Sequence, residues 1–295
     1  MRCWRERYGF YLKRRKQYTA LNRMNVLGYI IIIVLIICVL YLFLIFPRTF
    51  RKPDRTPFLH THYAHRGLFD NRSEAPENSL EAFKRAVEHG YGIELDVQLS
   101  KDNVPVVFHD ASLKRMCGVD GNVWEYTLAE LKELHLADSK AKIPTFEEAL
   151  QVIAGKVPVI VEYKLDRVQT KVCELANELL ATYSGAYCME SFHPLALLWY
   201  KKNRPDSMRG QLSMEFWHEE KYKKRHEMKL VAFLLTNVCT RPDFIAYQHT
   251  EADNISRCLA GKLGALSVAW TIKSREQYEA VKDKFDLFIF DSFKL

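Results

Sequence analysis

The sequence is poor in the features that build disulfide frameworks and zinc modules. It has 7 cysteines in 295 residues, and no two of them form a Cys-x-x-Cys pair. The spacing therefore excludes the common zinc-ligand patterns, and the cysteines are expected to be free thiols, mostly in the core, as in a reducing compartment. The five beyond the N-terminal region form an odd-numbered set: Cys117, Cys173, Cys188, Cys239 and Cys258.

The body of the chain also lacks a net charge. Of the 43 basic and 36 acidic residues, eight basic and one acidic residue lie in residues 1–25, which leaves 35 of each sign beyond them. The formal net charge of +7 is thus a property of the N-terminus. Because a nucleic-acid-binding domain needs a basic face, no nucleic-acid partner is expected. No internal repeat or low-complexity segment occurs either.

Long uncharged runs are absent except for one, Leu27 to Phe46, whose 20 residues could cross a hydrocarbon core about 30 Å thick. It is longer than a signal-peptide h-region and ends in Phe-Leu-Ile-Phe-Pro, without a small-residue cleavage site, so an uncleaved anchor is favoured over a signal peptide or a core helix. Basic residues dominate before the run, which predicts a single-pass protein with a cytoplasmic N-terminus and an outward-facing body. The free cysteines favour the opposite orientation.

These features predict a division of the chain into four parts. They are a basic tail (1–25), a transmembrane helix (26–46), a short linker with three prolines (47–60) and one folded domain (61–295). Within the domain, β-prone runs alternate with amphipathic helical patterns. Alternation over this length predicts a parallel sheet closed as a (β/α)₈ barrel of the TIM type.

Nine runs compete for the eight strand positions, so one is expected to be an extra edge piece or no strand at all. The nine candidates are residues 62–66, 91–99, 104–110, 157–164, 186–192, 208–214, 243–248, 265–272 and 286–291. A further charged and aromatic stretch, residues 215–230, predicts a solvated outer helix that could also touch a membrane surface.

Several candidate strands carry charged residues where a barrel keeps its chemistry. Glu94 and Asp96 alternate along one strand and so face the same side, and Glu162 and Lys164 do the same on another. The apolar residues around them are typical of strands buried on both faces, so these charges must be paired or bind a metal. Three carboxylates on two strands predict a hard oxygen site for Mg²⁺ or Ca²⁺.

Basic residues and histidines also lie in or at the ends of the candidate strands. Arg66 and Lys164 are expected to hold an anion, most simply a phosphate. His65 and His109 each lie at the end of a candidate strand and are available as acid and base. A divalent metal, two fixed cations and two histidines around one point predict cleavage of a phosphodiester.

These residues resemble the glycerophosphodiester phosphodiesterases of the phospholipase-C-like barrel superfamily. The resemblance rests on five segments and covers nearly everything after residue 60, although the family's threonine-rich turn after His-Asp is replaced by Ser-Leu-Lys-Arg-Met-Cys-Gly. The segments are AHRG (64–67), PENS (76–79), IELDVQLSKDNVPVVFHD (93–110), VEYK (161–164) and AWTI (269–272).

The resemblance implies a role for each matching residue. Glu94, Asp96 and Glu162 would hold the divalent metal, and His65 and His109 would be general base and acid. Substrate-binding residues would be Arg66 and Lys164 at the phosphate, Trp270 at the glycerol or headgroup, and Glu77 close to the metal.

The function that follows is hydrolysis of glycerophosphodiesters to sn-glycerol 3-phosphate and an alcohol by a membrane-anchored, metal-dependent enzyme. Two alternatives stay open. One is a lysophospholipase D acting on lysophospholipids, which an anchor would place at the bilayer. The other is a catalytically silent, membrane-tethered phospholipid-binding module. No protein partner is inferred.

Overall fold

The computed structural model describes residues 2–165, 169–219, 227–291 and 293–295. The chain divides into two compact units, Met1–Leu44 and Ile45–Leu295.

The first unit is a single long helix. Helix α1 runs over Arg2–Ile45, so the segment predicted as a basic tail is helical as well. Its part from Asn25 to Ile45 has a mean hydropathy of 3.2, and at about 1.5 Å per residue its 21 residues are long enough to cross a membrane. Only 6% of the most apolar window is buried, so this is not the core helix of a globular domain. A signal sequence near an N-terminus would have the same character.

Among its described residues, the second unit contains nine strands, close to the nine runs that the sequence predicts. Their bounds are β1 (Tyr63–His65), β2 (Gly92–Leu99), β3 (Pro105–Val107), β4 (Val159–Tyr163), β5 (Tyr187–Ser191), β6 (Arg209–Ser213), β7 (Phe244–Gln248), β8 (Leu266–Ile272) and β9 (Leu287–Phe290).

Eight of these strands close into a parallel barrel in the order β1-β2-β4-β5-β6-β7-β8-β9, and β9 pairs again with β1. The predicted TIM-type barrel is therefore confirmed. The extra piece is β3, which pairs antiparallel with β2 through Val97 and Val107. The sequence predicts His109 at the end of a barrel strand, and this placement is wrong. β3 stops at Val107, so His109 lies in the loop beyond it.

In the described part of the second unit, ten α-helices cover the barrel or fill its loops. They are α2 (Leu80–Glu88), α3 (Lys114–Cys117), α4 (Leu128–Glu133), α5 (Phe146–Ile153), α6 (Lys171–Leu180), α7 (Pro194–Asn203), α8 (Met228–Ala232), α9 (Asn237–Thr240), α10 (Ile255–Lys262) and α11 (Arg275–Val281). Their starts follow capping chemistry: Thr127 and Thr145, for example, each form a capping box with the glutamate three residues later.

The barrel interior has an apolar layer beneath a charged one. A buried cluster includes Tyr63, Ile160 and Cys188, and the residues two further along those strands are His65, Glu162 and Glu190. Because residues i and i+2 of a strand face the same side, these polar side chains also point inward, one layer nearer the carboxyl ends. Apolar packing therefore supports the charged layer from below.

The residues predicted as a linker are part of the second unit. Phe58, in a 3₁₀ turn over Thr56–Phe58, is 5% exposed and joins the apolar cluster inside the barrel. Its carbonyl oxygen accepts a hydrogen bond from the Tyr63 hydroxyl at 3.0 Å. The segment therefore packs against the barrel instead of extending as a free stalk.

The outer helix predicted over residues 215–230 is described only in part, since residues 220–226 lie outside the described residues. What is described is a 3₁₀ turn over Phe216–His218 and the start of α8 at Met228. Six cysteines of the described chain are free thiols, as predicted. Two of them, Cys173 and Cys188, are buried in the core.

Candidate active site

Three buried carboxylates from neighbouring strands meet inside the barrel. Glu94, Asp96 and Glu162 are 1%, 0% and 6% exposed, and Asp96 is in register with Glu162 across the β2–β4 pair. One oxygen from each residue can be chosen so that all three lie within 4.8 Å of one another. The burial and shared face expected from the sequence are thus observed.

Ionisation of three adjacent carboxyl groups is unfavourable in a buried position, and their pKa values are shifted accordingly. Burial, and then the charges of Asp96 and Glu162, raise the pKa of Glu94 well above its ordinary value. Burial raises the pKa of Glu162 to about 7. Burial also opposes ionisation of Asp96, but Lys164, His109 and Arg66 together hold its pKa well below the usual range. Without a further cation, ionisation of all three carboxyl groups at once is unfavourable.

Lys164 is the cation in closest contact with these carboxylates. Its Nζ lies 2.8 Å from Asp96 Oδ1 and 2.6 Å from Glu162 Oε1. Burial lowers the pKa of Lys164, but the two carboxylates outweigh it and the pKa is raised. Lys164 therefore stays charged at the floor of the site, where it can neutralise an anion.

Arg66 reaches the same group from the turn after β1. Its backbone has a φ of 58°, followed by Gly67 at 82°, and this left-handed turn aims the Arg66 N–H at Glu94 Oε2, 3.1 Å away. Its guanidinium donates to Glu77 Oε1 at 2.7 Å and lies 3.6 Å from Asp96 Oδ2. Arg66 is thus held by carboxylates on both sides.

The Pro-Glu-Asn loop contributes directly to the site. Asn78 is 1% exposed and donates from Nδ2 to Asp96 Oδ2 at 2.8 Å. Its own N–H donates to the Arg66 carbonyl oxygen at 2.9 Å. Glu77 accepts from Arg66 and from the Asn71 amide. The loop fixes one carboxylate and one cation together.

The two histidines share one arrangement although His65 ends strand β1 and His109 lies in the loop after β3. His65 Nδ1 is 3.0 Å from Asp291 Oδ2, and His109 Nδ1 is 2.6 Å from Asp110 Oδ1. Burial lowers the pKa of both imidazoles, that of His109 to about 4. An aspartate on Nδ1 leaves Nε2 as the free nitrogen, and His65 Nε2 lies 3.9 Å from Glu94 Oε2.

Arg115 joins the second histidine to the Pro-Glu-Asn loop. It donates from Nε to Asp110 Oδ2 and from Nη2 to Glu77 Oε1, both at 2.6 Å. Against the effect of burial, Arg115 and Arg66 lower the pKa of Glu77 to about 2. The turn that departs from the family pattern therefore still holds a cation in this network.

Trp270 lies near the end of β8 in an aromatic group. Its ring is 5.6 Å from that of Phe192 at a near-perpendicular angle, and it packs against the buried cluster of Met214 and Phe216. These residues follow β5 and β6, so the group forms an apolar side of the carboxyl-terminal end of the barrel. This position suits contact with a nonpolar or cationic part of a ligand.

Four residues of this network were missed from the sequence: Asn78, Asp291, Arg115 and Glu190. Asp291 directly follows the last strand, the same signal that marked His65. Glu190 lies in a buried strand in register with Glu162, is 1% exposed, and has no hydrogen-bond donor at Oε2 in the described part of the chain. Burial, with the charge of Glu162, raises its pKa well above the ordinary value.

The three carboxylates fit a divalent hard cation. Glu94 Oε1 is buried and has no hydrogen-bond partner among the described residues. A buried carboxylate oxygen without a partner, beside two further carboxylates, is expected where a metal ion is the missing partner. Glu94, Asp96 and Glu162 together form a possible acidic metal site, and nothing in the geometry separates Mg²⁺ from Ca²⁺.

A closed parallel barrel with two histidines, fixed cations and a carboxylate cluster at the carboxyl ends of its strands has the arrangement of a TIM-barrel enzyme. The sequence profile of the glycerophosphoryl diester phosphodiesterase family matches residues 65–282, most of the chain.

Individual relatives agree with that profile. A glycerophosphodiester phosphodiesterase from Bacillus altitudinis is 31% identical over 171 residues, which is 53% of this chain and 68% of that protein. A lysophospholipase D from Rattus norvegicus is 29% identical over 153 residues, 47% of this chain and 48% of that protein. A phosphodiesterase from Oleispira antarctica, solved in complex with the product sn-glycerol-3-phosphate, superposes with a TM-score of 0.65 at 24% identity, over 79% of this chain and 93% of that one.

The chain therefore belongs to the glycerophosphoryl diester phosphodiesterase family. The enzyme class expected from the motifs is confirmed.

Proposed function

We propose that this protein hydrolyses glycerophosphodiesters to sn-glycerol 3-phosphate and an alcohol. The observation that carries the proposal is the convergence of two aspartate-held histidines with the Glu94, Asp96 and Glu162 cluster inside one barrel. Family membership supports the substrate class.

In this mechanism Glu94, Asp96 and Glu162 would hold a divalent cation, Mg²⁺ or Ca²⁺. When bound, the cation would supply positive charge to the phosphate oxygens and so stabilise the negative charge that develops there. The three adjacent buried carboxylates would then be compensated.

Arg66 and Lys164 add fixed positive charge beside the phosphate. Both are anchored to carboxylates, which holds them in place before the substrate arrives, so little ordering is needed on binding. Glu77 orients Arg66, and Trp270 lines the glycerol or headgroup side.

His65 and His109 move the protons. One imidazole accepts a proton from the attacking water as its oxygen bonds to phosphorus, and the other donates a proton to the alcohol oxygen as the bond from phosphorus to that oxygen breaks. Asp291 and Asp110 fix the two rings through Nδ1, so Nε2 of each is the nitrogen that exchanges the proton. The family resemblance favours His65 as base and His109 as acid.

We further propose that the span ending at Ile45 is an uncleaved anchor, with residues 1–25 on the cytoplasmic side and the barrel facing outward. The basic excess before the span supports this orientation. The barrel would then meet substrates at a bilayer surface.

A second candidate is hydrolysis of lysophospholipids. A specific feature favours it: Leu230 in α8 and Phe233 directly after it are 50% and 39% exposed. The Phe233 ring stacks on that of Trp217 at 5.6 Å, in the segment after β6 at the carboxyl end of the barrel. An exposed apolar edge of this kind suits an acyl chain. The rat relative supports it as well.

One assay separates the candidates. The full-length protein in detergent is incubated with glycerophosphocholine, glycerophosphoethanolamine or lysophosphatidylcholine, with Mg²⁺ or Ca²⁺, and glycerol 3-phosphate, lysophosphatidic acid and free alcohol are measured. Release of glycerol 3-phosphate supports the first proposal, and lysophosphatidic acid supports the second. Absence of turnover on all three substrates, with lipid binding retained, would instead indicate a silent phospholipid-binding module.

A further inference from the structure

Two buried polar atoms of the barrel strands have no hydrogen-bond partner in the part of the chain that the structure describes. One is Oε2 of Glu190 on β5, a residue that is 1% exposed, and the other is Nε1 of Trp270 on β8. The first atom is an acceptor and the second is a donor. Because a buried polar atom without a hydrogen bond costs free energy, a ligand or a water molecule is expected beside each of them.

Phe192 relates the two atoms to each other. It lies two residues after Glu190 along the chain, so it stands on the same side of β5, one layer nearer the carboxyl ends. Its ring is 5.6 Å from that of Trp270, and both rings pack against the apolar cluster inside the barrel. Glu190 and Trp270 therefore border the same side of the carboxyl-terminal end of the barrel, and Phe192 gives that side an apolar wall.

This side adjoins the carboxylate cluster and lies away from His109. Glu190 is in register with Glu162 across the β4–β5 pair, but it is outside the group of three carboxylates that can hold a metal. His109 lies in the loop after β3, which pairs with β2 at the opposite side of the cluster. The proposed acid, His109, must reach the leaving alcohol. The ester group that stays on the phosphate is then expected on the Glu190 side.

We infer that Glu190 and Trp270 bind the hydroxyl groups of the glycerol that stays on the phosphate. This inference rests on the proposed phosphodiesterase function and names two residues that recognise its substrate. A hydroxyl group both donates and accepts, so glycerol can donate to Glu190 Oε2 and accept from Trp270 Nε1, while its carbon chain packs on Phe192. A site whose buried polar groups pair with substrate hydroxyls rejects analogues that lack them.

The test measures binding and not turnover. The full-length protein in detergent with Mg²⁺ is titrated by calorimetry with sn-glycerol 3-phosphate and with propyl phosphate, which has the same chain length but no hydroxyl groups. Wild type should bind sn-glycerol 3-phosphate about tenfold or more tightly than propyl phosphate. The ratio of the two Kd values should fall about three- to tenfold in Glu190→Leu and in Trp270→Phe, because each change removes a partner of a hydroxyl group.

The ratio isolates the hydroxyl contacts. Both ligands carry the same phosphate, so any change in metal or phosphate affinity that a substitution causes cancels between them. Glu174→Leu, at an exposed position of α6, and Trp199→Phe, on α7, are the matched controls. Both should keep the wild-type ratio.

A wild-type ratio near one would overturn the subsite, and water would then be the partner of the two atoms. An unchanged ratio in either variant would remove that residue from the subsite, even where its affinity for both phosphates falls. Absence of glycerophosphodiester hydrolysis would contradict the proposed function instead, and the binding ratio would still decide whether Glu190 and Trp270 recognise the glycerol hydroxyls.

Discussion

His65 at the end of the first barrel strand is paired with Asp291 just after the last, with 3.0 Å between Nδ1 and Oδ2. The two residues are 226 positions apart and meet only because β9 closes the barrel against β1. The pairing gives His65 a fixed ring orientation, with Nε2 directed toward the Glu94 side of the site.

This contact predicts a positioning role for Asp291. His65→Ala should lower kcat by about 10²- to 10⁴-fold, the usual value of a general acid or base. Asp291→Asn should lower kcat less, with little change in KM, because the imidazole remains but loses its orienting partner. Steady-state kinetics with glycerophosphocholine measure both, and the exposed Asp283→Asn is the matched control. Equal kcat in Asp291→Asn and wild type would show that the pair is only structural.

The acid and base roles of His65 and His109 can be distinguished with substrates that differ in their leaving group. An alcohol must be protonated as it leaves, whereas p-nitrophenolate need not be. A p-nitrophenyl phosphodiester should therefore restore much of the rate in the variant that lacks the acid and in that variant alone. We expect rescue of His109→Ala and none of His65→Ala. Rescue of His65→Ala instead would exchange the two roles, and near-normal turnover of glycerophosphocholine by either variant would contradict the mechanism.

Metal removal should abolish activity, because the buried carboxylates then lose their cation and the phosphate loses its main source of charge. Exhaustive chelation is expected to stop turnover and Mg²⁺ or Ca²⁺ to restore it. In Glu94→Gln the metal-dependent rise in Tm should disappear, since a ligand that binds only the folded state stabilises it. Full turnover after chelation would exclude a catalytic metal, and an unchanged Tm shift would exclude Glu94 as a ligand.

Arg115 should matter for catalysis although it is 46% exposed. Arg115→Gln removes the cation shared by Glu77 and Asp110, so the two carboxylates that contact Arg66 and His109 are less firmly positioned. We expect kcat/KM to fall at least tenfold, in the range seen when supporting residues of a site are lost. Lys114→Gln is the control, because Lys114 forms its ion pair with the exposed Asp120, away from Glu77 and Asp110. A similar small effect of both changes would remove Arg115 from the network.

The point of truncation should decide the stability of the isolated barrel. Ile45 is 0% exposed and its carbonyl oxygen accepts from the buried Asn237 amide at 3.0 Å. Residues 45–295 should therefore be soluble, folded and active, whereas residues 47–295 should melt at a lower temperature. A buried amide left without its partner costs about 1–3 kcal/mol, and in a domain of this size each 1 kcal/mol lowers Tm by about 2–4 °C. Thermal unfolding compares the two. Equal Tm values would show that Ile45 contributes nothing.

The sequence by itself determined the barrel and the chemical character of its interior. Strands that alternate with helices over this length close as a parallel barrel. Acidic residues inside buried strands need a cation beside them, so the burial of Glu94, Asp96 and Glu162 near positive charge could be predicted from the sequence. The uncharged run before Ile45 is equally a matter of composition.

Tertiary structure decided which partners those residues have. Asp291 reaches His65 only through barrel closure, and Asn78 reaches Asp96 only because the left-handed turn at Arg66 brings the Pro-Glu-Asn loop back over β2. The short antiparallel β3 looked like a barrel strand because hydrophobicity reports burial and not pairing direction.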